Sequence, residues 1–181
     1  KTAFERKTIL MLGSLKLYKS PLEFIELAKR LPQFVFVLVI SDTKENIDIF
    51  IEKYKINVYK NLTIYPRQND VVPFYNQASL VLNLSDKKQV VETFGLTALE
   101  AMSAGLPVIV PTEGGIAEMV VDGENGYKID VQNLNQIAEC IKTILSDETL
   151  YMKLAQNALA YSKRFSEAKM VNSIEMILNR K

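Results

Sequence analysis

Two glutamates, Glu92 and Glu100, bracket the segment Glu92-Thr93-Phe94-Gly95-Leu96-Thr97-Ala98-Leu99-Glu100. Glu92 precedes a helix N-terminus and Glu100 lies two turns inside it, and eight helical residues span about 12 Å. That is about the reach from a nucleotide's ribose, past its pyrophosphate, to an attached sugar. The amides of Phe94, Gly95, Leu96 and Thr97 fall at the helix start, where N–H groups lack intrahelical acceptors and the dipole is positive. A diphosphate set there gains hydrogen bonds and field stabilisation without a metal. Gly95 removes a side chain where a ligand must come close. One carboxylate could then take sugar hydroxyls and the other ribose hydroxyls. Spacing alone admits a plainer account equally well, with Glu92 a dipole partner and Glu100 a solvated helix residue.

A second group is Gly13-Ser14-Leu15-Lys16-Leu17-Tyr18-Lys19-Ser20, between a strand and a helix. Lys19 and Lys16 are the cations available to a phosphate, although a loop lysine is more often merely solvated. The turn Tyr65-Pro66-Arg67 places Arg67 where a base edge could lie, or where Pro66 simply makes a turn. Gly114-Gly115 either admits backbone close to a ligand or forms a turn. Asn83 and Ser85 end the strand before Glu92, and Ser85 reads as structural.

Other chemistries are excluded by composition. Histidine is absent, so no histidine acid–base pair or triad can form in this chain. The single cysteine, Cys140, allows no internal disulfide and no cysteine-rich zinc site, and it fits a reducing compartment. No Asp-x-Asp motif or other metal-ligand cluster is legible, so neither a metal nor a cofactor is expected. A net charge of +1, from 22 basic and 21 acidic residues, gives no electrostatic reason to expect a nucleic acid. No apolar run reaches the ~20 residues of a membrane-spanning helix.

The elements that must carry these residues alternate. Strands are expected at Thr8 to Leu12, Phe34 to Ile40, Asn61 to Tyr65, Leu80 to Leu84, Pro107 to Val110 and Gly126 to Ile129. Between them fall helices at Pro21 to Leu31, Lys44 to Tyr54, Asp70 to Ala78 and Phe94 to Ala104, and a short one holding Glu118. The stretch from about Leu134 to Leu178 is helical, with Asp147 and Ser166 as N-caps of its last two helices. This pattern predicts an α/β fold: a Rossmann-like, doubly wound parallel sheet of about six strands with helices on both faces. Ligands of such sheets bind beyond the carboxyl ends of the strands, where nearly all the residues above lie.

The segment from Glu92 to Gly126 resembles the signature of the retaining glycosyltransferases grouped as family 4. That family carries E-x-F-G-L-x-x-L-E-A-M-x-x-G-x-P-V, matched from Glu92 through Pro107-Val108. It continues with G-G-x-x-E, matched by Gly114-Gly115-Ile116-Ala117-Glu118, and a D-G-x-x-G turn, matched by Asp122 to Gly126. The match spans some 35 residues in order and is highly specific; weaker resemblance reaches both ends of the chain. It implies one half of a two-domain type B glycosyltransferase. The single domain over residues 1–181 would be the C-terminal, donor-binding half. Its final helices, about 148–181, would pack toward an N-terminal acceptor domain not contained in this chain. The start of the chain close to its first strand, without a methionine, suggests an excised fragment.

The resemblance also distributes roles. Glu100 matches the glutamate that binds ribose hydroxyls, and Glu92 the one that contacts the transferred sugar. The amides of Phe94, Gly95, Leu96 and Thr97 match positions beside sugar and diphosphate. At the first loop the family has G-R-L-x-x-x-K-G, beginning here at Gly13; its Arg and Lys clamp the diphosphate. Lys19 matches that Lys, but Ser14 stands at the Arg and Ser20 at the second Gly. One cation is therefore missing from the family's clamp, and Lys16 is the candidate to replace it. The partners implied are a nucleoside diphosphate sugar and, through the N-terminal domain, an acceptor glycan or lipid-linked sugar. A cytoplasmic setting is expected, with peripheral membrane attachment open to the full-length protein. A sugar-nucleotide epimerase or phosphorylase of the same fold, or a non-catalytic nucleotide- or protein-binding module, are the competing readings. The isolated chain is expected to bind a donor but not to transfer its sugar.

Overall fold

A computed structural model describes residues 1–165. Among the described residues six strands are present: β1 (Thr8–Gly13), β2 (Val35–Ile40), β3 (Leu62–Tyr65), β4 (Leu80–Leu82), β5 (Val108–Val110) and β6 (Gly126–Lys128). Every neighbouring pair is parallel, and the sheet runs β3-β2-β1-β4-β5-β6. The direction of winding reverses between β1 and β4, which opens a crevice at the carboxyl ends of those two strands.

The strands alternate at period two between two cores. Ile9 and Met11 of β1, Phe36, Leu38 and Ile40 of β2, and Leu80 and Leu82 of β4 share one cluster. Leu10, Val39 and Val81 belong to the other. A parallel sheet needs cover on both faces because both are apolar. On the first face lie α2 (Pro21–Arg30), α3 (Lys44–Lys53) and α7 (Leu134–Ser146), with Phe24, Leu27, Ile47, Ile137, Ile141 and Ile144 turned inward. On the second face lie α4 (Val72–Gln77), α5 (Leu96–Ser103) and α6 (Gly115–Glu118), contributing Tyr75, Ala98, Met102 and Ile116. The last helix, α8 (Glu148–Ser162), serves both cores: Tyr151 and Leu154 enter the first and Ala158 the second. Each fully buried side chain of this size contributes roughly 1.5–3 kcal/mol.

Helix boundaries follow local chemistry. Pro21 occupies the first turn of α2, where a missing N–H costs nothing. Asp147 caps α8 as its side chain accepts from the Leu150 amide; the cap expected at Ser166 lies outside the described residues. One element escaped the pattern of hydrophobic spacing. Helix α1 (Ala3–Arg6) is a single turn closed by a reciprocal capping box between Thr2 and Glu5. The boundary difference that bears on the site falls at α5, which begins at Leu96, not Phe94. Gly95 takes a left-handed conformation (φ 66°, ψ 55°) and so ends the loop abruptly. As for the final helices, α8 is packed on this domain's own cores, and residues 166–181 lie outside the described part.

Candidate functional site

A cleft of about 480 Å³ opens at the carboxyl ends of β1, β2 and β4. Gly13, Ser14 and Lys19 line it from the loop after β1, Ser41 from the loop after β2, and Asn83, Ser85 and Glu92 from the loop after β4. Thr93, Phe94, Gly95, Leu96 and Thr97 complete the wall.

Lys19 and Glu92 meet in this cleft. The Lys19 Nζ lies 2.5 Å from the Glu92 Oε2 and donates a 3.3 Å bond to the Ser85 Oγ. The Ser85 Oγ in turn donates to the same glutamate oxygen at 3.1 Å. Burial opposes ionisation of Glu92. The hydrogen bond and charge of Lys19, aided by Ser85 and Asn83, outweigh it and hold the carboxyl below its ordinary value. Glu92 is therefore ionised at neutral pH, and the pair is partly shielded from water. The Asn83 side chain fixes the strand exit, accepting from the Ser85 amide at 3.0 Å. The structure thus gives Ser85 a direct hand in the site, beyond the structural role expected for it.

The loop that carries Glu92 is shaped by glycines across from it. A Cβ on Gly115 would lie 1.8 Å from the Thr93 carbonyl oxygen, and one on Gly114 2.3 Å from that of Glu92. The pair therefore admits the backbone of the loop, a close approach of the protein's own chain and not one of the two uses expected from the sequence. Beyond the loop, the amides of Phe94, Gly95, Leu96 and Thr97 donate to no acceptor among the described residues. Only Leu96 and Thr97 belong to the first turn of α5, so Phe94 and Gly95 present their amides from the loop. Together they form a concave run of donors suited to an anion. Gly13 opens the opposite wall. A Cβ there would meet only the Lys19 Cβ, at 3.9 Å, so its bareness leaves room in the cleft and is not demanded by packing.

Three expected residues do not line the cleft. Glu100 lies on the exposed side of α5, one turn beyond the lining residues, where the Tyr75 hydroxyl donates to its Oε2 at 2.6 Å. Burial, reinforced by Glu100, raises the Tyr75 hydroxyl pKa and keeps it a donor. Arg67 is exposed, and its amide donates to the Asp42 carbonyl at 2.8 Å and its Nη2 to the Ser41 carbonyl at 3.0 Å. Lys16 is exposed, and its charge bears on Asp42. Among the described residues no group of three or more His, Cys, Asp or Glu is arranged to hold a metal ion. No described helix is long and apolar enough to cross a membrane. Tyr75 was not singled out in the sequence; its signal is only a tyrosine on a short helix facing α5. Ser41 is marked by nothing beyond its place just after a strand.

Fold and cleft together define a Rossmann-like domain whose binding crevice lies at the reversal of the sheet. Residues 2–161 match the family of glycosyl transferases group 1, and the chain belongs to that family. Among its relatives is the N-acetyl-alpha-D-glucosaminyl L-malate synthase of Bacillus anthracis, 29% identical over 142 residues, 78% of this chain and 36% of that protein. Similar folds include Anabaena HepE, solved with UDP and glucose (TM-score 0.81, 23% identity, 96% of this chain, 48% of that one). Another is the C-terminal domain of a group 1 glycosyl transferase, LpcC, from Francisella tularensis (TM-score 0.73, 26% identity, 91% of this chain, 93% of that domain). The chain spans between about a tenth and two fifths of the curated relatives it matches.

Proposed function

We propose that this chain is the donor-binding domain of a retaining glycosyltransferase, which moves a sugar from a nucleoside diphosphate to an acceptor hydroxyl. The observation that carries this reading is the convergence of Lys19, Glu92 and the four unpartnered amides of residues 94–97 on one crevice. Departure of a nucleoside diphosphate builds negative charge on the leaving oxygen while the sugar becomes oxocarbenium-like. Oriented amides and a lysine stabilise that oxygen without reorganising. Glu92, held ionised, orients the sugar hydroxyls and is not assigned as a nucleophile. Lys19 must divide its donors between Glu92 and the incoming phosphate, so the pair is a preformed cradle. Glu100, steadied by Tyr75, is one turn further along α5, where a ribose would lie if the phosphates sit on the helix start. The likeness of the fold to HepE, solved with UDP and glucose, supports a nucleoside diphosphate sugar as the ligand class. An N-terminal domain would supply the acceptor site, and the acceptor would be a glycan or a lipid-linked sugar met in the cytoplasm or at its membrane face.

The test is a titration of the 181-residue chain with uridine, guanosine and adenosine and with their diphosphates, with EDTA present. The reading expects one diphosphate to bind more tightly than its nucleoside. Lys19→Ala should remove most of that difference and leave the nucleoside's affinity intact, since a lysine acts on phosphate as a point charge. If binding requires added magnesium, or if Lys19→Ala preserves the diphosphate's advantage, the metal-free clamp is refuted. The chain alone should transfer no sugar, because acceptor positioning and water exclusion need the facing domain.

A further inference from the structure

Phe94 is 44% exposed on the cleft side, an unusual setting for a ring beside polar ligand donors. It is not unsupported. Its ring meets Phe165 edge-on at 6.4 Å and 83°. Phe165, in the short 3-10 turn Lys163–Phe165 that follows α8, packs on Tyr161 at 5.6 Å. The Tyr161 hydroxyl donates to the Glu118 carbonyl at the end of α6, at 3.3 Å. The Arg164 guanidinium covers the face of the Tyr161 ring, 4.9 Å from its centre. The loop 92–95 is therefore gripped from two directions. Gly114 and Gly115 accept its backbone from one side, and the end of α8 holds its one aromatic side chain from another.

We infer that Phe165, backed by Tyr161, is a positioning residue for the donor loop: it fixes Phe94 and so aims the amides of residues 94–97 and the carboxylate of Glu92. This rests on the donor-site reading for its ligand-dependent part only. The physical ground is that a loop holding ligand amides must keep them within a fraction of an ångström of their acceptors. For Phe94 the aromatic contact comes from Phe165. Edge-to-face rings hold such a geometry directionally.

The test compares wild type with Phe165→Ala and Phe165→Tyr in the 181-residue chain. Amide order parameters from NMR relaxation, without ligand, should fall at residues 91–97 in Phe165→Ala, while those of the six strands and of α2 and α7 stay as before; Phe165→Tyr should restore the wild-type values. Unchanged order parameters at 91–97 overturn the inference, and so does a fall spread evenly over the domain, which would mean simple destabilisation. A second arm titrates UDP-glucose against UDP, GDP-mannose against GDP and ADP-glucose against ADP. Phe165→Ala should weaken binding of whichever sugar nucleotide wild type accepts by roughly two- to twelve-fold, the range for one aromatic pair. The loss should be larger for the sugar nucleotide than for its diphosphate. Equal affinities in Phe165→Ala and wild type overturn the positioning role. Should wild type bind none of the six, the donor-site reading fails while the order-parameter arm still decides what holds the loop.

Discussion

Replacing Gly115 by alanine tests how the glutamate loop is held. The added Cβ would sit 1.8 Å from the Thr93 carbonyl oxygen and 2.9 Å from its carbon. Backbone atoms cannot swing aside as a side-chain tip can, so the contact must open to at least 3.0 Å, a shift of 1.2 Å. Crowding of this kind costs about 1–3 kcal/mol. The shift falls on Thr93, next to both Glu92 and the amides of residues 94–97. Hydrogen bonds span only a few tenths of an ångström around their optimum, and a misplacement of about 1 Å costs on the order of a hundredfold in catalysis. Affinity for the preferred nucleoside diphosphate should therefore fall by at least about tenfold, counting two neutral hydrogen bonds at about 1 kcal/mol each. Urea unfolding and calorimetric titration read the two quantities. Gly105→Ala is the control: its φ of +71° makes alanine strained, but no atom lies within 4 Å of the new Cβ. It should lose comparable stability, about 1 kcal/mol, with no change in affinity. If Gly115→Ala keeps both stability and affinity, or if the two variants lose affinity alike, the bracing of the loop by this glycine is refuted.

Acid unfolding should carry the mark of Glu92. Its folded-state pKa lies below the ordinary 4.5, so its stabilisation is complete above that value and drains away as pH falls through the lower folded value; Glu92→Gln should show a shallower acid limb below pH 4.5, and parallel limbs would contradict the ion pair. Ser20, buried at the start of α2, holds a left-handed conformation (φ 56°, ψ 46°). Ser20→Gly relieves about 1–2 kcal/mol and returns about 0.4–1 kcal/mol of unfolded-chain freedom, so differential scanning calorimetry should show a higher Tm; a fall would mean that the serine hydroxyl matters more than the strain. Tyr75→Phe frees Glu100 from its 2.6 Å partner and should cost about 0.5–1.5 kcal/mol of stability. It should weaken a ribonucleoside diphosphate more than its 2′-deoxy analogue, and equal losses would remove Glu100 from ribose binding.

The sheet was legible because its signal is local and repeated. Runs such as Phe36-Val37-Leu38-Val39-Ile40 declare buried strands, and the helices between them leave few other topologies. Helix α1 was illegible by hydrophobic spacing because one turn has no period; its only mark was Thr2 followed three residues later by Glu5. The start of α5 was misjudged by two residues because the Gly95 conformation is not written in periodicity. As a result about half of the interval between Glu92 and Glu100 is loop, where the expected start at Phe94 left only Glu92 and Thr93 outside the helix. The Lys19–Glu92 contact joins residues 73 apart. It follows from topology alone: β1 and β4 are neighbours at the reversal, so the loops after them must touch. The fates of Arg67 and Lys16 were unreadable for the opposite reason, since a cation in a loop gives no sign of which carbonyl or carboxylate will claim it.

The ring contact between Phe94 and Phe165 has a thermodynamic corollary. If the turn after α8 helps to seat the loop, then the loop, once occupied, helps to seat the turn, and by the same free energy in each direction. Any partner that pulls at the carboxyl end of α8 would thereby raise the dissociation constant at a crevice it never touches, and a saturating occupant of the crevice would resist that pull by an equal factor. The strength of this exchange is bounded by one edge-to-face contact, roughly two- to twelve-fold. That is too small for an all-or-none switch and large enough for a graded response, in which occupancy of the crevice and anchorage of the carboxyl end report on each other continuously.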